Sequence, residues 1–142
     1  MNNPKIIIRR GSIDECIIIA NSIPEFRGNY SKEEYLKRYS ATYHSIWIAE
    51  IDGELVGYKT GYLIEDYFYS WLGGVVPKFR NRGIARLLAT KQEADCKERE
   101  IERIKFKTYN RFKEMLIFAL RNGFEIVDVE KNTGKISLEK IL

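Results

Sequence analysis

Apolar and polar positions along this chain follow two periods, and the chain switches between them several times. Lys5 to Arg9 is a short aliphatic run that reads as a strand. Ser12-Ile13-Asp14-Glu15 then has the form of a capping box: the Ser side chain takes a backbone N–H and the Glu reaches back. Ile13, Cys16, Ile17 and Ala20 follow at helical spacing, and Pro24 closes the segment. A second box, Ser31-Lys32-Glu33-Glu34, opens a helix with Tyr35, Leu36 and Tyr39 on one side. Three strand-period runs come next, Ser45 to Glu50, Leu55 to Ile64 and Tyr67 to Val76. Asp52-Gly53 between the first two is a hairpin signal. Gly57 and Gly61 break the second run, and Pro77, which has no N–H, ends the third.

Helical spacing returns from about Arg82 to Glu100, with Ile84, Leu87, Leu88, Lys91 and Ala94 expected inward. Glu102 to Tyr109 alternates as a strand around Ile104 and Phe106. Asn110 to Asn122 reads as a helix with Phe112, Met115, Leu116, Ala119 and Leu120 inward, and Gly123 suits the left-handed position that ends it. Phe124 to Glu130 and Lys135 to Leu142 form a last hairpin across Asn132-Thr133-Gly134. The order β-α-α-β-β-β-α-β-α-β-β predicts an α/β (α+β) fold with a mixed sheet and helices on its faces.

The length of 142 residues predicts one domain, 1–142, and 44% hydrophobic and 13% aromatic residues exclude a disordered chain. The longest aliphatic runs, Ile6–Ile8 and Ile17–Ile19, are too short to cross a bilayer. The opening MNNPKIII lacks the plan of a signal peptide, so a cytoplasmic protein is expected. Cys16 and Cys96 stand alone, without metal-ligand spacing, and read as buried thiols. His44 is the only histidine, which removes a multi-histidine metal site; it reads as a strand-edge residue, and no metal is expected. A net charge of +4 favours anionic ligands. No long basic stripe is present, so nucleic acid is not expected as a partner. KEEYLKR and KQEADCKERE mix cations with glutamate and read as solvated helix faces.

The stretch VVPKFRNRGIARLL, Val75 to Leu88, departs from that pattern. Lys78, Arg80, Arg82 and Arg86 gather at the start of a helix, where unpaired N–H groups and the helix dipole already present positive charge. Gly83 removes a side chain where something must approach the backbone, and Ala85 keeps the next turn narrow. The arrangement suits a docked diphosphate. The alternative is an exposed basic helix start in which the glycine only eases a turn. The stretch matches neither the G-x-x-x-x-G-K-[ST] loop nor the G-x-G-x-x-G fingerprint.

At these residues the chain resembles the GNAT-type N-acetyltransferases. The acyl-CoA signature, a strand ending near Val-x-Pro and then [Gln/Arg]-x-x-Gly-x-[Gly/Ala], stands here as Val75-Val76-Pro77 and Arg80-Asn81-Arg82-Gly83-Ile84-Ala85. An Asn before the next helix and a closing Gly-Phe stand as Asn110 and Gly123-Phe124. The resemblance extends over essentially the whole chain. It implies a mostly antiparallel sheet of six or seven strands with about four helices, splayed at the fourth and fifth strands. It further implies that acetyl-CoA is the co-substrate and that a small-molecule or peptide amine is the acceptor.

By the same resemblance, Gly73, Gly74, Val75 and Val76 hold the pantetheine and the acetyl carbonyl, with a bulge at Gly73-Gly74 and the Gly73 N–H at the oxyanion. N–H groups from Asn81, Arg82, Gly83, Ile84, Ala85 and Arg86, beside Arg80, hold the diphosphate, and Asn110 contacts the arm or caps its helix. The chain departs from the family at three positions. Asn81 stands where many members have a second Gly, though Asn tolerates the left-handed conformation. Ala119 stands where many have a Tyr that protonates the leaving thiolate. Tyr69 stands where some have a Glu base; a phenol is a poor base at neutral pH, so Tyr69 reads either as a catalytic group or as a wall of the acceptor groove.

The acceptor groove is expected from Pro24 to Tyr43, with Glu25, Phe26, Arg27 and Tyr30, and from Tyr67, Tyr69 and Trp71 on the strand. Glu65 and Asp66 read as turn residues or as holders of a cationic amine. At pH 7 a lysine amine is neutral about once in 2,500 molecules, a penalty of about 4.6 kcal/mol, whereas an α-amine pays about 1.4 kcal/mol. A site without a strong base therefore favours a weakly basic amine. Direct attack on the thioester is expected, without a covalent cysteine intermediate. The alternatives are a non-catalytic acyl-CoA-binding or regulatory module on the same fold and, further off, a nucleic-acid domain using the basic loop. The final strand LEKIL either pairs across a homodimer or completes the sheet.

Overall fold

The structure, a computed structural model, describes residues 5–26 and 30–142. Its elements are β1 (Ile6–Arg10), α1 (Ile13–Asn21), α2 (Lys32–Tyr39), β2 (His44–Ile51), β3 (Glu54–Ile64), β4 (Tyr67–Val75), α3 (Ile84–Glu98), β5 (Arg103–Tyr109), α4 (Lys113–Arg121), β6 (Glu125–Glu130) and β7 (Lys135–Ile141). Short 3-10 turns at Pro24–Phe26 and Pro77–Phe79 lead into the loops that flank the site. The element order is the one the periodicity predicts.

Seven strands form one sheet in the order β1-β2-β3-β4-β5-β7-β6. All neighbours are antiparallel except β4 and β5. β7 is hydrogen-bonded on both sides, to β5 and β6, so of the two readings of the final strand the one that places it in the sheet holds. The free edge on that side is β6.

Two helices cover each face. Cys16, Ile19 and Ala20 of α1 and Tyr35 and Tyr39 of α2 pack on Ile46, Ile48 and Tyr58. On the other face Ile84 and Leu88 of α3 pack on Trp47, Ala49, Ile51 and Val56. Leu116 and Ala119 of α4 pack on Ile136 and Leu138, with Phe106 beside them. The crossovers β4-α3-β5 and β5-α4-β6 advance in one direction, and right-handed connections then place both helices on one face.

Local signals set the helix ends. Ser12 Oγ accepts from the Glu15 N–H and the Glu15 carboxylate accepts from the Ser12 N–H, a complete capping box. Ser12→Ala is expected to cost about 1 kcal/mol, measured by urea unfolding. Ser31 caps α2 in the same way, but the Glu34 carboxylate takes the Arg38 guanidinium in place of closing a box. The α1 helix ends at Asn21, and Pro24 opens a 3-10 turn rather than closing the helix.

Arg9 donates to Glu15 at 2.6 Å and to Glu50 at 3.2 Å. The hydrogen bond from Arg9 is the main cause that holds the Glu15 carboxyl below its usual range. A depressed folded-state value stabilises above the unfolded pKa, near 4.3, and is lost as pH falls through the folded value. The stability gap between wild type and Glu15→Gln should therefore be present at pH 7 and close below about pH 4, as read by denaturant melts at each pH.

Where the inward face was misjudged, the helices bury a narrower stripe than their apolar content suggests. Leu36, Leu87, Phe112, Met115 and Leu120 are exposed. Lys91 and Ala94 also face outward. The inner line of α3 is Ile84, Leu88, Gln92, Asp95 and Cys96. Gln92 and Asp95 were therefore not solvated residues of KQEADCKERE. Asp95 accepts from Arg10 at 2.8 Å and from the Tyr43 hydroxyl at 2.5 Å, which makes a polar side chain usable in the core. Just after α3, Glu100 stands at φ +60°, where a non-glycine residue is strained. Glu100→Gly should stabilise the protein by about 1 kcal/mol in the same melts.

Candidate active site

β4 and β5 pair only at Phe68–Ile104 and Tyr69–Lys105, and beyond Tyr69 they part. β5 keeps its pairing with β7 through Tyr109, so the opening lies between β4 and β5 alone. The sheet is thus splayed where the sequence predicted. The bulge is elsewhere than expected. Thr60 pairs with Leu72 and Tyr62 with Tyr69, so Ser70 and Trp71 face the single residue Gly61. Gly73 and Gly74 pair regularly with Lys59 and Tyr58. A Cβ on Gly61 would collide with the Tyr69 carbonyl oxygen and lie 2.7 Å from Phe68 Cε2, so the close approach behind this bulge requires glycine at 61.

Backbone direction follows from one hydrogen bond. The Val76 N–H donates to the Val56 carbonyl at 2.9 Å, and strand groups alternate sides. Gly74 and Leu72 therefore also face β3, while Gly73 and Val75 face the opening. Val76 is fully engaged, since its carbonyl accepts from the Phe79 N–H at 2.9 Å. Of the four residues expected to line the arm with their backbone, Gly73 is free to do so, and Val75 keeps its N–H free while its carbonyl accepts from Arg80. Gly74 serves packing: a Cβ there would lie 2.7 Å from Phe26.

The basic loop stands at the head of this opening. Asn81 and Gly83 both have positive φ, +66° and +80°, so successive amides turn toward one side. Gly83 is the N-cap of α3 and supplies no side-chain cap. Among the described residues no acceptor meets the N–H groups of Asn81 through Arg86. By contrast, α1 and α2 both start on a serine cap. Arg80 is committed elsewhere: it pairs with Glu25 at 2.8 Å and its Nε donates to the Val75 carbonyl at 3.1 Å. Arg82 and Arg86 form no ion pair among the described residues. Asn110 neither caps α4 nor opens it. Its N–H donates to the Gly134 carbonyl at 2.7 Å and its Oδ1 accepts from Lys113.

The model of the Acetyltransferase (GNAT) family matches residues 17–124, most of the chain. The chain belongs to the GNAT acetyltransferase family. A search of curated proteins gives no sequence match. Solved structures share the fold. PaiA N-acetyltransferase from Thermoplasma acidophilum, in complex with coenzyme A, is 20% identical with a TM-score of 0.79, covering 97% of this chain and 99% of that one. A GNAT family acetyltransferase from Elizabethkingia anophelis with acetyl-CoA bound is 18% identical with a TM-score of 0.77, covering 96% and 98%. Arabidopsis thaliana Naa50 in complex with the bisubstrate analogue CoA-Ac-MVNAL is 17% identical with a TM-score of 0.78, covering 95% and 97%.

In this GNAT chain the α1/α2 face of the splay is aromatic. The bulge turns Trp71 onto that face, where Tyr30 lies 4.8 Å and Tyr35 5.1 Å from it between ring centroids. Tyr62 stands edge-on to Tyr69 and Trp71. The Arg38 guanidinium sits 4.2 Å above the Trp71 ring and donates to the Tyr62 hydroxyl at 2.8 Å. Arg38 and Tyr62 were not legible as site residues in sequence. Arg27 lies outside the described residues.

Tyr69 is at the apex of the splay, and burial, with Tyr62 beside it, raises its pKa. It therefore keeps its proton at neutral pH. Ala119 is buried and offers no ionisable group. Cys16 and Cys96 are buried with their thiols pushed up to about 12 by desolvation, which leaves no thiolate nucleophile there. His44 begins β2 and stacks on Tyr39 at 4.4 Å. Glu65 and Asp66 form the β3–β4 turn, and Asp66 accepts twice from Arg103. Among the described residues no helix is long and apolar enough to cross a membrane.

Proposed function

We propose that this protein transfers an acetyl group from acetyl-CoA to an amine of a small molecule or peptide by direct attack on the thioester. One observation carries the reading: the unsatisfied amides of Asn81 to Arg86, flanked by Arg82 and Arg86, stand at the head of the opening between β4 and β5. A diphosphate would satisfy those amides, and a pantetheine arm would pair with the free backbone of Gly73 and the free N–H of Val75. The Gly73 N–H would meet the carbonyl oxygen and stabilise it as charge develops. Coenzyme A and acetyl-CoA in the structural neighbours support the choice of ligand, and the peptide-bearing analogue in one of them supports an amine acceptor.

The acceptor would enter over Trp71, Tyr69 and Tyr62, on the opposite face from α3. Tyr69 with its raised pKa would line and hydrogen-bond rather than accept a proton, so the amine must arrive largely neutral. Proximity then supplies much of the acceleration. Weakly basic amines are expected to react faster than lysine-type amines at pH 7.

The test is calorimetry with coenzyme A, followed by thiol release from acetyl-CoA against pooled amines, peptides and aminoglycosides. Micromolar binding and release with at least one pool are expected. No association at millimolar coenzyme would overturn the reading. Tight binding without turnover on any pool would favour the non-catalytic module instead.

A further inference from the structure

Lys59 is a cation beside the opening that the reaction above leaves unused. The registers of β1 to β4 place Arg10, Trp47, Lys59 and Gly73 in a row across the sheet. Trp47 packs under α3, so the row lies on the α3 face. Arg10 lies over the Trp47 ring at 4.3 Å. Lys59 leans the other way, toward the opening: its Cγ is 3.5 Å from where a Gly73 Cβ would be. A four-carbon stem starting there is long enough to bring its ammonium past the bare Gly73 to the free edge of β4.

Lys59 is half-buried, yet it forms no ion pair and no hydrogen bond among the described residues. Of the charged groups around it, Glu93 on α3 is the one that favours its charge, and Glu93 is taken by Lys140 of β7 at 2.5 Å. Lys91 on α3 and Arg10 on β1 meet Trp47 beyond it. Desolvation dominates and brings Lys59 down to about 8. Desolvating an ammonium that meets no carboxylate is costly, and a ligand group placed beside it would offset that cost.

The two faces of the sheet assign that partner. Trp71, Tyr69 and Tyr62 hold the acceptor side. The N-terminus of α3 and Lys59 share the other face, the face by which a diphosphate-anchored arm arrives. We propose that Lys59 donates the proton taken up by the coenzyme A sulfur as the thioester breaks, an assignment that rests on the acetyl-transfer reading. The amine nitrogen bonds to the carbonyl carbon and the C–S bond breaks with its electron pair on sulfur. The sulfur takes the Lys59 proton and leaves as thiol. The new amide nitrogen loses its extra proton to water, and Lys59 is reprotonated from solvent. A donor near 8 is well matched to a thiol near 8.5. It does the work for which Ala119 has no group.

Two readouts test this. With coenzyme A alone as the probe, titration of its thiolate absorbance should show a bound thiol pKa about one unit lower on wild type than on Lys59→Met, as a cation beside sulfur requires. In turnover, Lys59→Met should lower kcat about 100-fold with the acetyl-CoA KM changed less than about threefold, and should remove a fall in rate above about pH 8. Lys59→Arg keeps the charge and cannot give up its proton, so it should restore the thiol pKa but not kcat. Coenzyme A bound with the same thiol pKa in wild type and Lys59→Met would overturn the Lys59 assignment alone. Failure of coenzyme A to bind wild type would overturn the acetyl-transfer reading with it. Acetyl-Lys59 as the main product of acetyl-CoA without an acceptor, seen by mass spectrometry, would make Lys59 a target and overturn its role as donor.

Discussion

Gly83→Glu is expected to weaken coenzyme A binding at least about 100-fold while leaving the protein folded. No atom lies within 4 Å of an added Cβ at Gly83, so the side chain meets open space. The backbone there is at φ +80°, which costs a non-glycine residue about 1–2 kcal/mol. That is small beside the stability of a domain of this size. The effect on binding has a different origin. A carboxylate at this position reaches the amides that the diphosphate would use and satisfies them itself. It also sets a negative charge some 4–5 Å from an incoming anion, worth about 3–4 kcal/mol at an effective dielectric near 20. Every 1.4 kcal/mol is tenfold in affinity. Gly83→Ala carries the backbone cost without the charge and should lose less than about tenfold. Calorimetry on both variants, with thermal melts to confirm the fold, checks the pair. Unchanged affinity in Gly83→Glu with an unchanged melt would place the diphosphate elsewhere.

Gly61→Val should destabilise the whole domain by about 4 kcal/mol or more. The added Cβ would meet the Tyr69 carbonyl oxygen, Phe68 Cε2 at 2.7 Å and Ser70 Cα at 3.0 Å. Two of these three are backbone atoms of β4, so no rotamer change relieves the overlap. Relief requires β3 and β4 to part at the bulge, in the middle of the sheet. For a chain of this length 4 kcal/mol lowers Tm by roughly 8–16 °C. The bulge also turns Trp71 onto the α1/α2 face, where the acceptor is proposed to enter, so acetyl transfer should fall further than the folded fraction does. A melt within 2 °C of wild type would show that the bulge is not held by this contact.

Much of the fold was legible because its signals are local. The Ser12 and Ser31 caps, the Asp52-Gly53 turn and the stop at Pro77 each depend on neighbours a few residues away. The basic loop was legible for the same reason, since helix start, cations and Gly83 are contiguous. The bulge was misplaced because Gly73-Gly74 has the composition of an irregular strand, while the irregularity is set by Gly61, on another strand, packing against Tyr69 and Phe68. Arg80 resembles its neighbours in sequence, yet the 3-10 turn at Pro24–Phe26 brings Glu25 within 2.8 Å and removes it from the set of free cations. Lys59 sits in an ordinary alternation between Tyr58 and Thr60, and only the cover of α3 makes it a desolvated cation.

The order of elements, most of their caps and turns, and the basic loop were determined by the chain itself, because helix period, turn dihedrals and unpaired end amides are properties of consecutive residues. Where along β4 the bulge falls, which arginine stays free, that β7 is interior, and that Lys59 lies beside Gly73 on the α3 face were decided by the closed sheet. Those features depend on groups tens of residues apart, and their distance, burial and charge exist only once the two faces have been covered.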